Sequence, residues 1–190
     1  MQIKEEGLEK FKKIIYAEIA KLFGKEALRL IRRLGYNIIL LGRGNNVYEA
    51  FLVNNELKEL LSIMKKINIQ NPFSIGLFVG TIIENKSNIA FKVGLDLMEY
   101  LAQQLRRNIV IVSDDAAKLF LYGRDILLNS IIKILPPISY LTVIANKELE
   151  ILGIAKPLVN LETFIREGRR GNIVALKNVV DKGWYLRKGG

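Results

Sequence analysis

Apolar residues recur along the first part of the chain at helical spacing. Leu8, Phe11, Ile14, Ile15, Ile19 and Leu22 form one face between Glu5 and Phe23, so an amphipathic helix is expected there, with Gly24 as its stop. A second short helix is expected over Glu26–Leu34, closed by Gly35. The pattern then changes to β-rich runs. Tyr36–Leu41 and Val47–Val53 flank Gly42-Arg43-Gly44-Asn45-Asn46, a hairpin signal. Asn55 is the expected cap of a helix over Glu56–Ile67, with Leu57, Leu60, Leu61 and Met64 facing inward and Asn71-Pro72 ending it. A second hairpin follows, Phe73–Ile83 and Ile89–Val93 around Glu84–Asn88. Gly76 and Gly80 mark a bulge or close packing in its first strand. A helix over Leu95–Leu105 completes an α-α-β-β-α-β-β-α order, an α+β domain with an antiparallel sheet.

Arg106-Arg107-Asn108 is a polar hinge too short for a free linker, and the domain boundary is placed there, giving residues 1–106 and 107–190. Beyond it the pattern is of short strands and turns. Ile109–Val112 reads as a buried strand, and Ser113 caps a helix over Ala116–Tyr122 that stops at Gly123. Asp114 and Asp115 suit the first turn of that helix better than acid/base or metal chemistry. An apolar run from Ile126 to Ile134 leads to Pro136-Pro137, after which Tyr140–Ala145 pairs with Leu149–Ala155. Ile173–Leu176 and Trp184–Leu186 are further strands, and a small β-barrel accounts for the set.

Composition narrows the function. The 190 residues carry a formal charge of +10, with half of them hydrophobic and neither cysteine nor histidine. A basic chain with no apolar run long enough to span a bilayer fits nucleic acid better than membrane. Without Cys or His there is no disulfide framework, thiol nucleophile, zinc site of the usual kind or imidazole base. No catalytic residue, metal or cofactor is assigned, and the expectation is a protein without enzymatic activity. No secretory signal pattern is present, so an intracellular, cytoplasmic protein is expected, and a monomer.

The charge is unevenly placed. Phe164 to Gly190 holds seven Lys/Arg against two Asp/Glu, whereas Arg107 to Thr163 holds six against six. Arg166-Glu167-Gly168-Arg169-Arg170-Gly171 is a cationic loop in which glycines permit positive φ and arginines offer planar forks to phosphate. A solvated surface is the plain alternative for such a cluster. Arg124, next to the helix stop Gly123, is a candidate phosphate contact because a glycine turn can bring backbone and guanidinium together. Lys177 and Lys182 are candidates by charge and position. Tyr122, Tyr140, Trp184 and Tyr185 could stack unpaired bases, although an aromatic in a small barrel is ordinarily core, and that reading is preferred for each.

The LGIAKPL strand, the loop after it, the NIVALKNV strand and the closing DKGWYLR resemble the end of a PUA domain, a small RNA-binding β-barrel. FKVGLDLMEYLAQ (Phe91–Gln103), after FSIGLFVGTI, and LFLYGRDILLNS (Leu119–Ser130) narrow this. With the N-terminal order of elements, they resemble the Nip-seven family of large-subunit ribosome biogenesis factors. The resemblance implies an adaptor that binds pre-ribosomal RNA, U- or AU-rich and single-stranded, through a C-terminal PUA domain. Assembly factors would engage the N-terminal domain, and the precursor of the large subunit is an implied partner of the whole protein. It implies RNA contacts just after the LG strand and in the next loop, which in this chain are Lys156, Arg166, Arg169 and Arg170. It also implies a nucleolar or nuclear location in a eukaryote. The competing function is an enzyme or PUA accessory of tRNA or rRNA modification, which would need a positioned Asp. Asp96 is the only Asp in residues 1–106, and helix capping explains it more simply.

Overall fold

The computed structural model describes residues 8–67, 74–85, 88–184 and 187. Expectations for Glu5–Gly7, for Asn71-Pro72 and Phe73, for the turn at Lys86-Ser87, and for Tyr185 and Leu186 lie outside the described residues. The chain divides into two compact units, Met1–Leu97 and Met98–Gly190.

In the first unit, α1 (Leu8–Phe23) buries Phe11, Ile15, Ile19, Leu22 and Phe23, the face set by its heptad-like spacing. The second helix, α2 (Lys25–Arg33), follows at once. Strands β1 (Asn37–Gly44), β2 (Val47–Val53), β3 (Leu77–Glu84) and β4 (Ile89–Val93) form an antiparallel meander in that order. Helix α3 (Asn55–Lys66) packs Leu61 against Ile39, Leu41, Phe51 and Val53 of this sheet. Gly80 sits where the β2–β3 register shifts, so the expected bulge is there.

Two local expectations are corrected. The cap of α3 is Asn54, whose Oδ1 accepts the Leu57 N–H at 2.9 Å, while the neighbouring Asn55 accepts from Asn37 Nδ2. Two adjacent asparagines offer the same chemistry, and the start of the helical turn decides which is the cap. Leu60 is not inward but exposed, as are Ile63 and Ile67. The helix is apolar on more than one side, and only Leu57, Leu61 and Met64 turn toward the sheet or its margin.

Helix α4 (Leu95–Leu105) carries Asp96 in its first turn and spans the division between the units. The second unit then runs β5 (Ile109–Val112), α5 (Asp114–Leu121), β6 (Ile126–Leu127), β7 (Ile131–Leu135), β8 (Thr142–Ala145), β9 (Ile151–Pro157), α6 (Leu161–Arg166) and β10 (Val174–Asp181). Its six-stranded sheet has the order β6-β10-β9-β8-β5-β7. All pairs are antiparallel except β5–β8. The sheet curls into a half-barrel around Val110, Val112, Phe120, Ile126, Ile144, Leu152, Ala155 and Leu176, the architecture expected from the short-strand pattern. The apolar run at Ile126–Ile134 is broken by a 3-10 turn, Leu128–Ser130, into β6 and β7. The peptide between Pro136 and Pro137 is cis.

Three elements of this unit differ from the sequence reading. Helix α6 was not expected. Asn160 caps it by accepting the Thr163 N–H at 3.0 Å, so Arg166 belongs to a helix end rather than a loop. Trp184 is helical instead of starting a strand. Asn108 is no solvated hinge residue but fully buried. Its side chain donates to the Leu141 carbonyl at 2.9 Å and accepts the Ser139 N–H at 3.0 Å, and its own carbonyl accepts from Thr142 Oγ1. A buried amide is retained only where every such group is matched, and here a whole loop is folded around it.

Candidate nucleic-acid interface

The seven candidate cations fall into three places. Lys156 on β9 and Lys177 on β10 are direct partners across the antiparallel ladder. Directly opposite residues share one face, with Cβ atoms about 5 Å apart, and like charges there repel. Both side chains are exposed, and neither is ion-paired with a described carboxylate. β6 lies on the other side of β10, with Ile126 opposite Leu176. Asp125, just before β6, accepts the Asn178 N–H at 2.8 Å. Arg124, exposed, therefore lies at the edge of the strand that carries Lys177.

Arg166, Arg169 and Arg170 are at the other end of β10, and their loop is held in place. Gly168, at φ 66°, closes α6: its N–H bonds the Ile165 carbonyl, and the Arg169 N–H bonds the Phe164 carbonyl. This is a Schellman turn, which requires a left-handed residue after the last helical ones and so favours glycine. The guanidinium of Arg169 lies 4.8 Å from the Phe164 ring centre and pairs with Glu167 at 2.6 Å. Arg170 donates from Nη1 to the Ile131 carbonyl at 3.2 Å. Arg166, in the last turn, remains exposed and without a described ionic partner. The loop cations thus divide between structural duty and open surface.

Arg124 follows a turn of the same construction. Gly123 (φ 83°) and Arg124 donate to the Phe120 and Leu119 carbonyls at the end of α5. The expected glycine-hinged loop is present, as a fixed turn. Lys182 stands apart, paired with Glu99 at 2.8 Å.

The aromatic candidates are not core. Tyr122 is 72% exposed, Tyr140 46% and Trp184 42%. The preference for core packing fails because Tyr122 caps a helix end, Tyr140 precedes β8 in a loop, and Trp184 follows the last strand. Tyr140 lines a pocket of about 350 Å³ together with Pro157, Asn160 and Glu162. Pro157 follows Lys156 in β9 but points to the other face of the sheet, opposite the buried Leu176, so the pocket lies around the end of β9 from the lysine pair.

The frame behind these side chains rests on residues the charge reading passed over. Asp181 is 3% exposed and takes both Nη groups of Arg187 at 3.0 Å, and Arg187 also donates to the Leu121 carbonyl. That hydrogen bond with Asp181 raises the Arg187 pKa above its ordinary value. Asn178 Nδ2 donates to the Phe120 carbonyl at 2.9 Å. The end of β10 is thereby tied to the end of α5. The sequence signal was the DKGWYLR run itself: an acid six residues before an arginine, with a glycine between. Among the described residues no set of carboxylates is grouped as a metal site requires, and no helix is long and apolar enough to cross a membrane.

The second unit is thus a curled half-barrel that bears a cationic strand pair. Residues 108–190 match the family described as the UPF0113 PUA domain. A hypothetical protein from the hyperthermophilic archaeon Pyrococcus horikoshii OT3 shares the fold at a TM-score of 0.55 and 17% identity, over 97% of this chain and 98% of that one. A PUA-domain protein of Thermoplasma acidophilum is matched at a TM-score of 0.40 and 18% identity, over 70% of this chain and 94% of the other. No curated protein matches. Residues 108–190 are therefore a PUA domain, a general RNA-binding domain.

Proposed function

We propose that this chain is a non-enzymatic adaptor of large ribosomal subunit assembly, which binds pre-ribosomal RNA through the β9–β10 face and assembly factors through its N-terminal unit. The observation that carries the RNA part is the opposition of Lys156 and Lys177. Two like charges placed face to face cost folding energy. A polyanion laid across the ladder reverses the sign of that interaction. Arg124 and Arg166 extend the cationic track along both ends of β10. The ribosomal part rests on the resemblance of FKVGLDLMEYLAQ and LFLYGRDILLNS to the Nip-seven family.

A physical argument supports the adaptor role. Phosphate contacts position a protein on RNA without selecting a site, so a few lysines and arginines cannot choose one location among many transcripts. A second attachment on the same chain raises the effective concentration wherever both partners are displayed together. The N-terminal unit is the available second attachment, and the exposed Leu60 and Ile63 of α3, with Ile67 just after it, give it apolar surface.

Sedimentation of cell extracts tests the proposal. The full chain should travel with large-subunit precursors, and much less with mature subunits. The double substitution Lys156→Ala/Lys177→Ala should reduce that association and weaken binding to single-stranded RNA in vitro. Association with tRNA alone would favour the modification-factor reading, and unchanged sedimentation of the double variant would remove the lysine pair from the interface.

A further inference from the structure

The pocket at the end of β9 has a chemistry unlike that of the cationic track. It is lined by the Tyr140 and Pro157 rings and by the aliphatic Ile138 and Leu161. Glu162 is the charged residue in it. One carboxylate oxygen, Oε1, accepts the Ile138 N–H at 2.7 Å, which fixes the side chain and leaves Oε2 as an acceptor. Asn160 spends its carbonyl oxygen on the Thr163 N–H, which leaves its Nδ2 as a donor. The volume, about 350 Å³, falls at the small end of sites that enclose small ligands.

These features exclude a phosphate, which Glu162 would repel, and favour a flat ring with hydrogen-bonding edges. Apolar and aromatic walls beside a phosphate track are the arrangement in which an unpaired base leaves the strand and is held by stacking. The edge is selective too. A carboxylate needs donors, and guanine presents two neighbouring ones, N1–H and the N2 amine, with O6 as an acceptor for an amide donor such as Asn160 Nδ2. Uracil presents a single donor between two carbonyls, which a carboxylate disfavours. Adenine offers one amine and an acceptor.

We propose that the pocket formed by Tyr140, Pro157, Asn160 and Glu162 holds one unstacked guanine of an RNA strand that passes around the end of β9 from the face of Lys156 and Lys177. The proposal rests on the RNA-binding reading above and supplies what phosphate contacts lack, a base-specific contact. A single guanine within an otherwise U-rich strand would then set the register of the protein on its RNA.

Fluorescence anisotropy with the full chain and short oligo-U strands tests it, each strand carrying one central guanosine, inosine, adenosine or uridine. A good bidentate contact to a base discriminates by roughly tenfold or more, so the guanosine strand should bind about tenfold tighter than the uridine strand. Inosine, which lacks the N2 amine, should fall between them. Glu162→Gln, which can still accept the Ile138 N–H, should bind all four strands with similar affinity. Lys156→Ala/Lys177→Ala should weaken all four and keep their ranking. Equal affinity of the native chain for all four strands, or a ranking unchanged in Glu162→Gln, would overturn the pocket while leaving the lysine track standing. If the double lysine variant binds all four strands like the native chain, the lysine pair is not the phosphate track, and if the native chain binds none of them, the RNA-binding reading falls.

Discussion

Arg169 and Phe164 are joined twice. The backbone N–H of Arg169 donates to the Phe164 carbonyl at 2.9 Å, and its guanidinium lies 4.8 Å from the centre of the Phe164 ring. The turn that ends α6 ordinarily places an apolar residue in contact with the helix at this point. Here a cation fills that place, so part of the loop's positive charge is used to shape the loop.

Arg169→Ala is therefore expected to reduce stability by roughly 0.5–1 kcal/mol, the range for a cation–π contact at an exposed site. The Glu167 pair adds little, being exposed on both sides. In the same measurement by chemical denaturation, Lys156→Ala and Lys177→Ala should not destabilise, because each removes one member of a repelling pair. RNA binding should show the reverse. The log–log salt slope should flatten by about 0.7 for each lysine that contacts a single strand, and less for Arg169.

Lys182 provides a separate test, since Glu99 holds its ammonium at 2.8 Å. If Lys182 reaches RNA, it must first leave that carboxylate. Glu99→Gln should then tighten RNA binding and steepen its salt dependence. An unchanged slope would show that Lys182 belongs to the frame of the domain and not to its interface.

Gly153 on β9 lies under the crossing of β10. A Cβ at this position would stand 2.2 Å from the Val180 carbonyl oxygen and 2.9 Å from the Phe120 ring. Gly153→Ala must push β10 away, at a cost of roughly 1–3 kcal/mol for forced overpacking, read as a lower midpoint of chemical denaturation. Lys177 moves with β10, so RNA affinity should fall even where the variant remains folded. This links the LG pair of the sequence to the spacing of the lysines.

Stability should be flat between about pH 6 and 9, because the chain has no histidine. The displaced groups act outside that window. Glu9 is held below its ordinary value by a hydrogen bond from Lys12, so its contribution is present above the unfolded pKa and is lost as pH falls through the folded one. Lys147, hydrogen-bonded to Asp114, and Arg187, hydrogen-bonded to Asp181, are raised. Their contributions are present below the unfolded values and are lost only in strong alkali, as pH rises through the folded values. Thermal midpoints across a pH series would check this.

The parts of the fold legible in the sequence were those set by local periodicity. The spacing of Phe11, Ile15 and Ile19 makes α1, the β-branched run at Ile109–Val112 makes β5, and Ser113 caps α5 as its place requires. Contacts between distant residues were not legible. Asn54 and Asn55 are equivalent until the helix start is known. Leu161–Arg166 is too short to show a period, so α6 was missed. The site divides in the same way. Charge marked Lys156 and Lys177 separately, but only the ladder makes them partners. Nothing local shows that Arg170 is bonded to the Ile131 carbonyl, or that Lys182 is paired with a glutamate of α4. Nor does anything local show that Asp181 is buried, since its partner Arg187 lies beyond a glycine turn.

The sheet order of the second unit also has a temporal meaning. β10 lies between β6 and β9, yet it follows every other strand of its sheet in the chain. During synthesis β6 emerges well before β10 and β9 just before it, and each keeps an unfilled edge until β10 is made. Until β10 inserts, Lys156 has no Lys177 opposite it, and the nascent chain lacks the two-lysine face altogether. A non-local closure of this kind is slow compared with a hairpin, and the two-lysine face exists only once it is complete.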